Sequence, residues 1–235
     1  PATSYTDASC PCKPETLSYH KEAIEWLAET FEIGGINFET GDYGTCSRPE
    51  CTLKRTPGKS WSLEDQAVVY PSLFEAVKRI KSDAWLVSEV YWDNILDRDT
   101  LKPLEALPDY AIYQYCFNRS YLPKLEDRLT AAYVGGLPKS TNILRTHMGS
   151  QWNRERYELV ADRFYRTAQL AKGTGMQGMT IFGEVSPTST VNEINYLVFA
   201  RFSYEPDLTW ARFAAEELEP RLGGPEQAER FLELV

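Results

Sequence analysis

Four acidic side chains stand at or near the ends of apolar segments of this chain. Glu39 and Asp42 follow IGGINF (33–38), Glu89 lies in AWLVSEVYW (84–92), and Glu184 lies in GMTIFGEV (178–185). Two carboxyl groups beside one pocket can hydrolyse a glycosidic bond, because one protonates the leaving oxygen while the other attacks the anomeric carbon or activates water. We therefore take these four acids as the candidate catalytic residues.

The segments that carry these acids alternate with helical patterns. β-Branched and aromatic runs bounded by Gly, Pro or Asp predict strands at 34–40, 84–92, 110–117, 141–147 and 178–185. Apolar residues at helical spacing predict helices at 18–31, 62–81, 153–173, 190–204, 208–223 and 225–235. Ser62 is the expected cap of the second helix, Pro71 a site where it can kink, and Gly173 the stop of the third. Strands and helices that alternate in this way predict βαβ units and a parallel sheet.

The predicted fold class is α/β, with the chain forming part of a (β/α)₈ TIM-like barrel. A closed barrel needs eight strands, and five are predicted, so we expect the C-terminal part of a barrel at 1–204 and a helical C-terminal extension at 205–235. An open doubly wound sheet is the structural alternative, but GGLPKS (135–140) and GTGMQG (173–178) lack the spacing of a nucleotide-binding loop. A half barrel exposes two sheet edges, so another chain or fragment is expected to complete it.

Candidate substrate-binding residues follow from the rule that barrel enzymes place their sites at the carboxyl ends of the strands. Period-two alternation puts Asn37 and Glu39 on one face of the first strand, and Trp85, Glu89 and Tyr91 on one face of the second. Aromatic rings suit the apolar face of a sugar, and polar side chains suit its hydroxyl groups. The candidates are Trp85, Tyr91, Trp92, Gln114, Arg145, His147 and Trp152.

Four of the five cysteines fall in two short clusters, Cys10 with Cys12 and Cys46 with Cys51. Both clusters lie in loops at consecutive strand positions, so the thiols are expected to meet. They then form either a structural Cys₄ zinc site or two cross-loop disulfides, and unpaired thiols are the remaining alternative. A cross-link of either kind would hold the loop that carries Glu39 and Asp42.

The composition restricts the classes of partner. The chain has 235 residues and a net charge of −9, which argues against a nucleic-acid partner. No apolar run is long enough for a membrane span. No cofactor motif is present, so catalysis is expected to need no cofactor. A secreted or periplasmic location is favoured over a cytoplasmic one.

Four stretches support a resemblance to a known family. The run INFETGDYGTCSRPEC, the strand AWLVSEVYW and the later GMTIFGEVSP resemble the catalytic-barrel segments of carbohydrate-active proteins related to α-glucuronidases and β-hexosaminidases. The stretch YLVFARFSYEPDLTW resembles the entry into the helical region that follows such barrels. The resemblance implies a (β/α)₈ glycoside hydrolase with Glu39 as general acid and Glu184 as partner carboxylate, and with Asp42 and Glu89 in reserve. The adjacent Asp-Glu pair of the hexosaminidase pattern is missing.

The sequence therefore predicts a glycoside hydrolase that acts on a poly- or oligosaccharide by paired carboxylate acid–base catalysis. Two alternatives stay open at this stage. One is a non-catalytic carbohydrate-binding barrel that uses the same aromatic residues. The other is a metal-dependent hydrolase or lyase with Glu39, Asp42 and His147 as ligands.

Overall fold

The computed structural model describes residues 10, 13–39, 46–55, 63–91, 95–117, 119–139, 141–147, 158–182 and 189–234. They form an α/β structure with a five-stranded sheet in the order β1-β2-β3-β4-β5. The pairs β1–β2, β2–β3 and β4–β5 are parallel. The strands are β1 Gly35–Phe38, β2 Trp85–Tyr91, β3 Ala111–Cys116, β4 Asn142–His147 and β5 Gly178–Phe182. The predicted α/β class and parallel sheet are confirmed, and closure into an eight-stranded barrel stays a prediction.

The longer helices lie close to the predicted ones. They are α1 Pro14–Thr30, α2 Leu63–Ile80, α3 Ala161–Thr174, α4 Thr190–Tyr204 and α5 Pro225–Leu234. Shorter helical segments are Pro49–Thr52, Arg98–Leu101, Lys102–Ala106, Arg119–Tyr121, Leu122–Arg128 and Ala131–Val134, and three consecutive segments cover 210–222. Helix α2 runs on through Pro71. Its predicted cap, Ser62, lies outside the described residues.

Two predictions about the third helix were wrong. Residues 158–160 are not helical, so α3 begins at Ala161 rather than 153. Gly173 lies within the helix, and Gly175 ends it, because Gly175 adopts the left-handed conformation with φ 79°. A residue without a Cβ adopts that conformation at little cost, and both glycines look alike in the sequence.

The chain divides into two compact units. The first comprises Pro1–Cys116 with Gly135–Asn142, and the second Phe117–Val134 with Ile143–Val235. The predicted boundary between 204 and 205 stays a prediction. In the second unit, α3 and α4 share one core with residues of the C-terminal helices, including Phe164, Val198, Phe202, Phe213 and Leu218.

In the first unit, α2 packs on β1 through aromatic rings. The Phe38 ring lies 5.3 Å from Tyr70 and 5.0 Å from Phe74, between ring centroids. Burying three aromatic side chains removes several hundred Å² of apolar surface from water, and this contact anchors the end of β1 from which Glu39 follows.

Within the part of the chain that the structure describes, no helix has the length and apolar character needed to cross a membrane.

Candidate functional site

Glu89 is the central acidic residue of the first unit. It lies on β2 and is 0% exposed. Its Oε2 accepts hydrogen bonds from Asn37 Nδ2 on β1, at 3.3 Å, and from Gln114 Nε2 on β3, at 3.0 Å. Three neighbouring strands thus bring an amide, a carboxylate and an amide together on one face of the sheet.

The strand register explains this arrangement. Glu89 pairs with Gln114 across the β2–β3 ladder, so both side chains project from the same face. Asn37 pairs with Val87, which lies two residues before Glu89. Because side chains two residues apart project from the same face of a strand, Asn37, Val87 and Glu89 share one face of the sheet. Burying a carboxylate is costly unless donors satisfy it, and the two amides supply such donors.

The opposite face of β2 is held by Gln66 of α2. Gln66 Nε2 donates to the backbone carbonyl of Glu89 at 3.1 Å, and Ser88 Oγ donates to Gln66 Oε1 at 3.1 Å. Gln66 and Ser88 are buried. Helix α2 therefore fixes the backbone of Glu89 from the helix side of the sheet, while Asn37 and Gln114 hold its side chain on the other side.

Glu39 directly follows β1 and is exposed. The last β1–β2 pair joins Phe38 to Ser88, and Glu39 and Glu89 are the residues that follow the two members of that pair. Neighbouring strands are about 4.8 Å apart. The first unit therefore contains two of the four predicted acids, Glu89 buried on β2 and Glu39 exposed directly after β1.

The second unit carries a cationic and aromatic group near the carboxyl end of β4. Arg145 is 5% exposed, and its guanidinium carbon lies 4.4 Å from the centre of the Phe182 ring. The His147 ring lies 5.3 Å from the same ring. Arg145 pairs with Thr180 and His147 with Phe182 across the β4–β5 ladder. Arg145 and His147, two of the predicted substrate-binding residues, thus both lie beside the Phe182 ring.

The other predicted residues are placed as follows. Trp85 begins β2, about 13 Å along the strand from Glu89, and its indole lies over Gly34 and Gly35. That end is opposite to the one at which barrel enzymes bind substrate, so its position does not support the predicted role. Tyr91 is the last residue of β2. Outside the described residues lie Asp42, Trp92, Trp152, Glu184 and Cys12.

Two residues of the site were not among the sequence candidates. Asn37 lies two residues before Glu39, and that spacing already placed it on the same face. Gln66 occupies a position of the apolar stripe of α2, between Leu63 and Tyr70, where a polar residue needs a buried partner. A polar residue on an apolar stripe was thus the signal that could have identified Gln66.

Three cysteines of the first unit form a buried group. The Sγ atoms of Cys10, Cys46 and Cys51 all lie within 4.8 Å of one another, and such a group can hold a metal ion. The Sγ atoms of Cys10 and Cys51 are 3.4 Å apart. A disulfide requires about 2.05 Å, so these two sulfurs are not bonded to each other. The predicted meeting of the two cysteine loops is confirmed for these three residues.

Two arginines adjoin the cysteine group. A hydrogen bond with Cys10 is the main cause that raises the pKa of the Arg48 guanidinium. Burial raises the pKa of the Cys46 thiol, and a hydrogen bond from the Arg48 backbone opposes that effect. Arg55 donates from Nη1 to the Cys46 carbonyl and from Nε to Asp65 Oδ2 at 3.1 Å.

Comparison with models of known protein families gives no match, and comparison with curated protein sequences also gives none. The resemblance to carbohydrate-active barrels therefore stays a prediction from the sequence.

Proposed function

We propose that this protein is a glycoside hydrolase that acts on a poly- or oligosaccharide, with Glu39 and Glu89 as its carboxylate pair. The observation that carries the proposal is the Glu89 carboxylate on β2, which accepts hydrogen bonds from amides of both flanking strands. The second acid, Glu39, directly follows the neighbouring strand β1, whose last residue, Phe38, pairs with Ser88. Glu184, the partner first predicted for Glu39, lies outside the described residues.

In this proposal Glu89 is the carboxylate that attacks the anomeric carbon. Its Oε2 is held by amide N–H groups, which only donate hydrogen bonds. Both amides reach Oε2, so they also fix the orientation of the carboxyl plane. An oriented carboxylate suits a nucleophile.

Glu39 is the proton donor. It is exposed at the carboxyl end of β1, where a leaving-group oxygen can reach it from solvent. Neighbouring strands lie about 4.8 Å apart, and carboxyl groups held at about 5–5.5 Å are the arrangement of retaining enzymes, whereas inverting ones use roughly 6.5–9.5 Å. We therefore expect hydrolysis with retention at the anomeric carbon.

The metal ion expected at the cysteine group is zinc in a structural role. Its proposed ligands are thiolates, while the proposed reaction uses carboxylates. The proposal also includes two predictions from the sequence: residues 205–235 form a helical C-terminal extension, and strands of another chain or fragment complete the barrel.

A set of aryl glycosides tests the function. Wild-type chain should release the phenol from at least one of them, and Glu39→Gln and Glu89→Gln should each lower kcat by about 10²–10⁴. Glu29→Gln, a change at an exposed glutamate of α1, serves as the matched control and should leave kcat unaltered. Proton NMR of the first product gives the anomeric outcome.

Rescue experiments separate the two roles. Azide should restore activity to Glu89→Ala by attacking the anomeric carbon in place of the carboxylate. Glu39→Gln should lose more activity on substrates with poor leaving groups than on activated aryl glycosides, because a good leaving group needs little help from a general acid. Full activity in both glutamine variants would refute the assignment.

The complete burial of Glu89 favours a second function, a non-catalytic carbohydrate-binding protein. There the Glu39 carboxylate and the Asn37 amide, both exposed, would bind sugar hydroxyls, while Glu89 only orients the amides. Oligosaccharide binding by calorimetry, without turnover of any aryl glycoside and with binding weakened in Asn37→Ala, would support this function.

A further inference from the structure

The cysteine group has the dimensions of a tetrahedral metal centre. Sulfur atoms bound to zinc at about 2.3 Å are about 3.8 Å apart. The three Sγ atoms lie within 4.8 Å of one another, and those of Cys10 and Cys51 are 3.4 Å apart. A shift of well under 1 Å for each sulfur would therefore bring all three onto one ion.

The ligands come from separate parts of the chain. Cys10 precedes α1, while Cys46 and Cys51 lie in the segment after β1, with Cys51 in the helical turn Pro49–Thr52. All three are at most 4% exposed. A metal bound to them would tie residue 10 to a segment more than thirty residues later, and a cross-link of that length restricts the unfolded chain strongly.

The surroundings suit thiolate ligands better than a disulfide. When two of three neighbouring cysteines are oxidised, one thiol is left without a partner, and here Cys10, Cys46 and Cys51 are all unbridged. Thiolate sulfur at tetrahedral spacing favours zinc among the common divalent ions.

Arg55 connects this group to the helix behind Glu89. Its side chain is 9% exposed and lies between the carbonyl of Cys46 and the carboxylate of Asp65, in the first turn of α2. The next residue of α2 is Gln66, which donates to the Glu89 carbonyl. A continuous set of contacts thus runs from a metal ligand through one arginine to the backbone of the buried acid.

We propose that Cys10, Cys46 and Cys51 bind one zinc ion, and that this ion positions Glu89 through Arg55 and the first turn of α2. The zinc site rests on the cysteine geometry alone, whereas any effect on turnover rests also on the proposed function. In this scheme Arg55 is a positioning residue and touches no substrate.

Metal analysis tests the site. Wild-type chain purified under reducing conditions should contain one zinc ion per molecule, and Co²⁺ in its place should produce the thiolate charge-transfer and visible bands of a tetrahedral sulfur site. Cys51→Ser should lose most of the metal. Cys116→Ser is the matched control, because Cys116 is also buried but belongs to β3 and not to the group, and it should retain the metal.

Several results would overturn the zinc site. Wild-type chain that takes up neither Zn²⁺ nor Co²⁺ would do so, as would Cys51→Ser that binds metal as tightly as wild type. An intact mass lacking two hydrogens under non-reducing conditions would indicate a disulfide instead. If Cys51→Ser does not fold, Cys10→Ser replaces it, since Cys10 lies outside any helix or strand, and the Co²⁺ titration of wild type is decisive without either variant.

Hydrogen exchange tests the positioning. Backbone amides of 67–70 are the first in α2 to bond to carbonyls of its first turn. Chelation of zinc should speed their exchange at least several-fold, while α3 in the second unit should be unaffected. Arg55→Gln should keep its zinc yet show the faster exchange, and in an active enzyme it should lower kcat rather than raise KM.

The outcomes distinguish the two proposals. Unchanged exchange at 67–70 after complete zinc removal would refute the positioning role. Zinc binding and faster exchange in a protein that hydrolyses no glycoside would leave this inference standing and would refute only the proposed hydrolase.

Discussion

Replacing Gln66 by methionine tests whether α2 holds the site from behind. Methionine has a similar length and no strong hydrogen-bonding group, so the change removes both contacts with little change in volume. The Glu89 carbonyl loses its donor at 3.1 Å, and the Ser88 hydroxyl loses its acceptor at 3.1 Å. Each lost partner of a buried polar group costs about 1–3 kcal/mol. Because the Ser88 hydroxyl can rotate, we expect the free energy of unfolding to fall by about 2–4 kcal/mol in total.

Urea unfolding of wild type, Gln66→Met, Ser88→Ala and the double variant forms the assay. The double variant should be more stable than the sum of the single changes implies, by about 0.5–3 kcal/mol, because it removes both partners of one hydrogen bond. Gln177→Met, at an exposed position outside the site, is the matched control and should change stability by no more than about 0.5 kcal/mol. A loss below about 0.5 kcal/mol for Gln66→Met, or strict additivity in the double variant, would refute the reasoning.

Three further changes test the fold. Gly35→Ala should cost about 1–3 kcal/mol in urea unfolding, because the added Cβ would overlap the backbone carbonyl and the indole of Trp85. Gly173→Ala should instead raise stability by about 0.5–1 kcal/mol, since it lies within α3 with no atom within 4 Å of the added Cβ. Burial raises the pKa of Tyr113, so the folded state keeps a proton that the unfolded state loses above about pH 10, and stability should fall there by about 1.4 kcal/mol per pH unit. Tyr113→Phe should lose this part of the alkaline dependence when urea midpoints at about pH 9 and about pH 11 are compared, and an unaltered slope would contradict the assignment.

Strand and helix positions could largely be predicted from local pattern. The run 84–92 predicted β2 to within one residue at each end, because aromatic and β-branched residues there are bounded by Asp83 and by a polar segment. The stop of α3 was misplaced because two glycines lie within three residues, and only the backbone conformation decides which one ends the helix. Short helical turns such as Arg98–Leu101 and Ala131–Val134 are too brief to show a period.

The candidate site could be predicted only in part. Alternation along β1 and β2 was sufficient to select Glu39 and Glu89 as acids near strand ends, since a period of two is a local property of the chain. The role of Asn37 and Gln114 as donors to Glu89 depends on the register between strands, which a single sequence does not state. Trp85 was a reasonable aromatic candidate by type, but its position in the strand places it at the other end.

What the sequence determined by itself is therefore the kind of element and the chemistry available on each face. Residue type and spacing act over a few neighbours, and this range suffices for the alternating strands, the apolar stripe of α2 and the two pairs of cysteines. Only the tertiary structure decided which of these groups meet. Cys10 meets Cys51 across 41 residues, and Asn37 meets Glu89 across 52. Contacts over such separations arise from packing of the whole unit, because their closure entropy must be offset by burial elsewhere in the core.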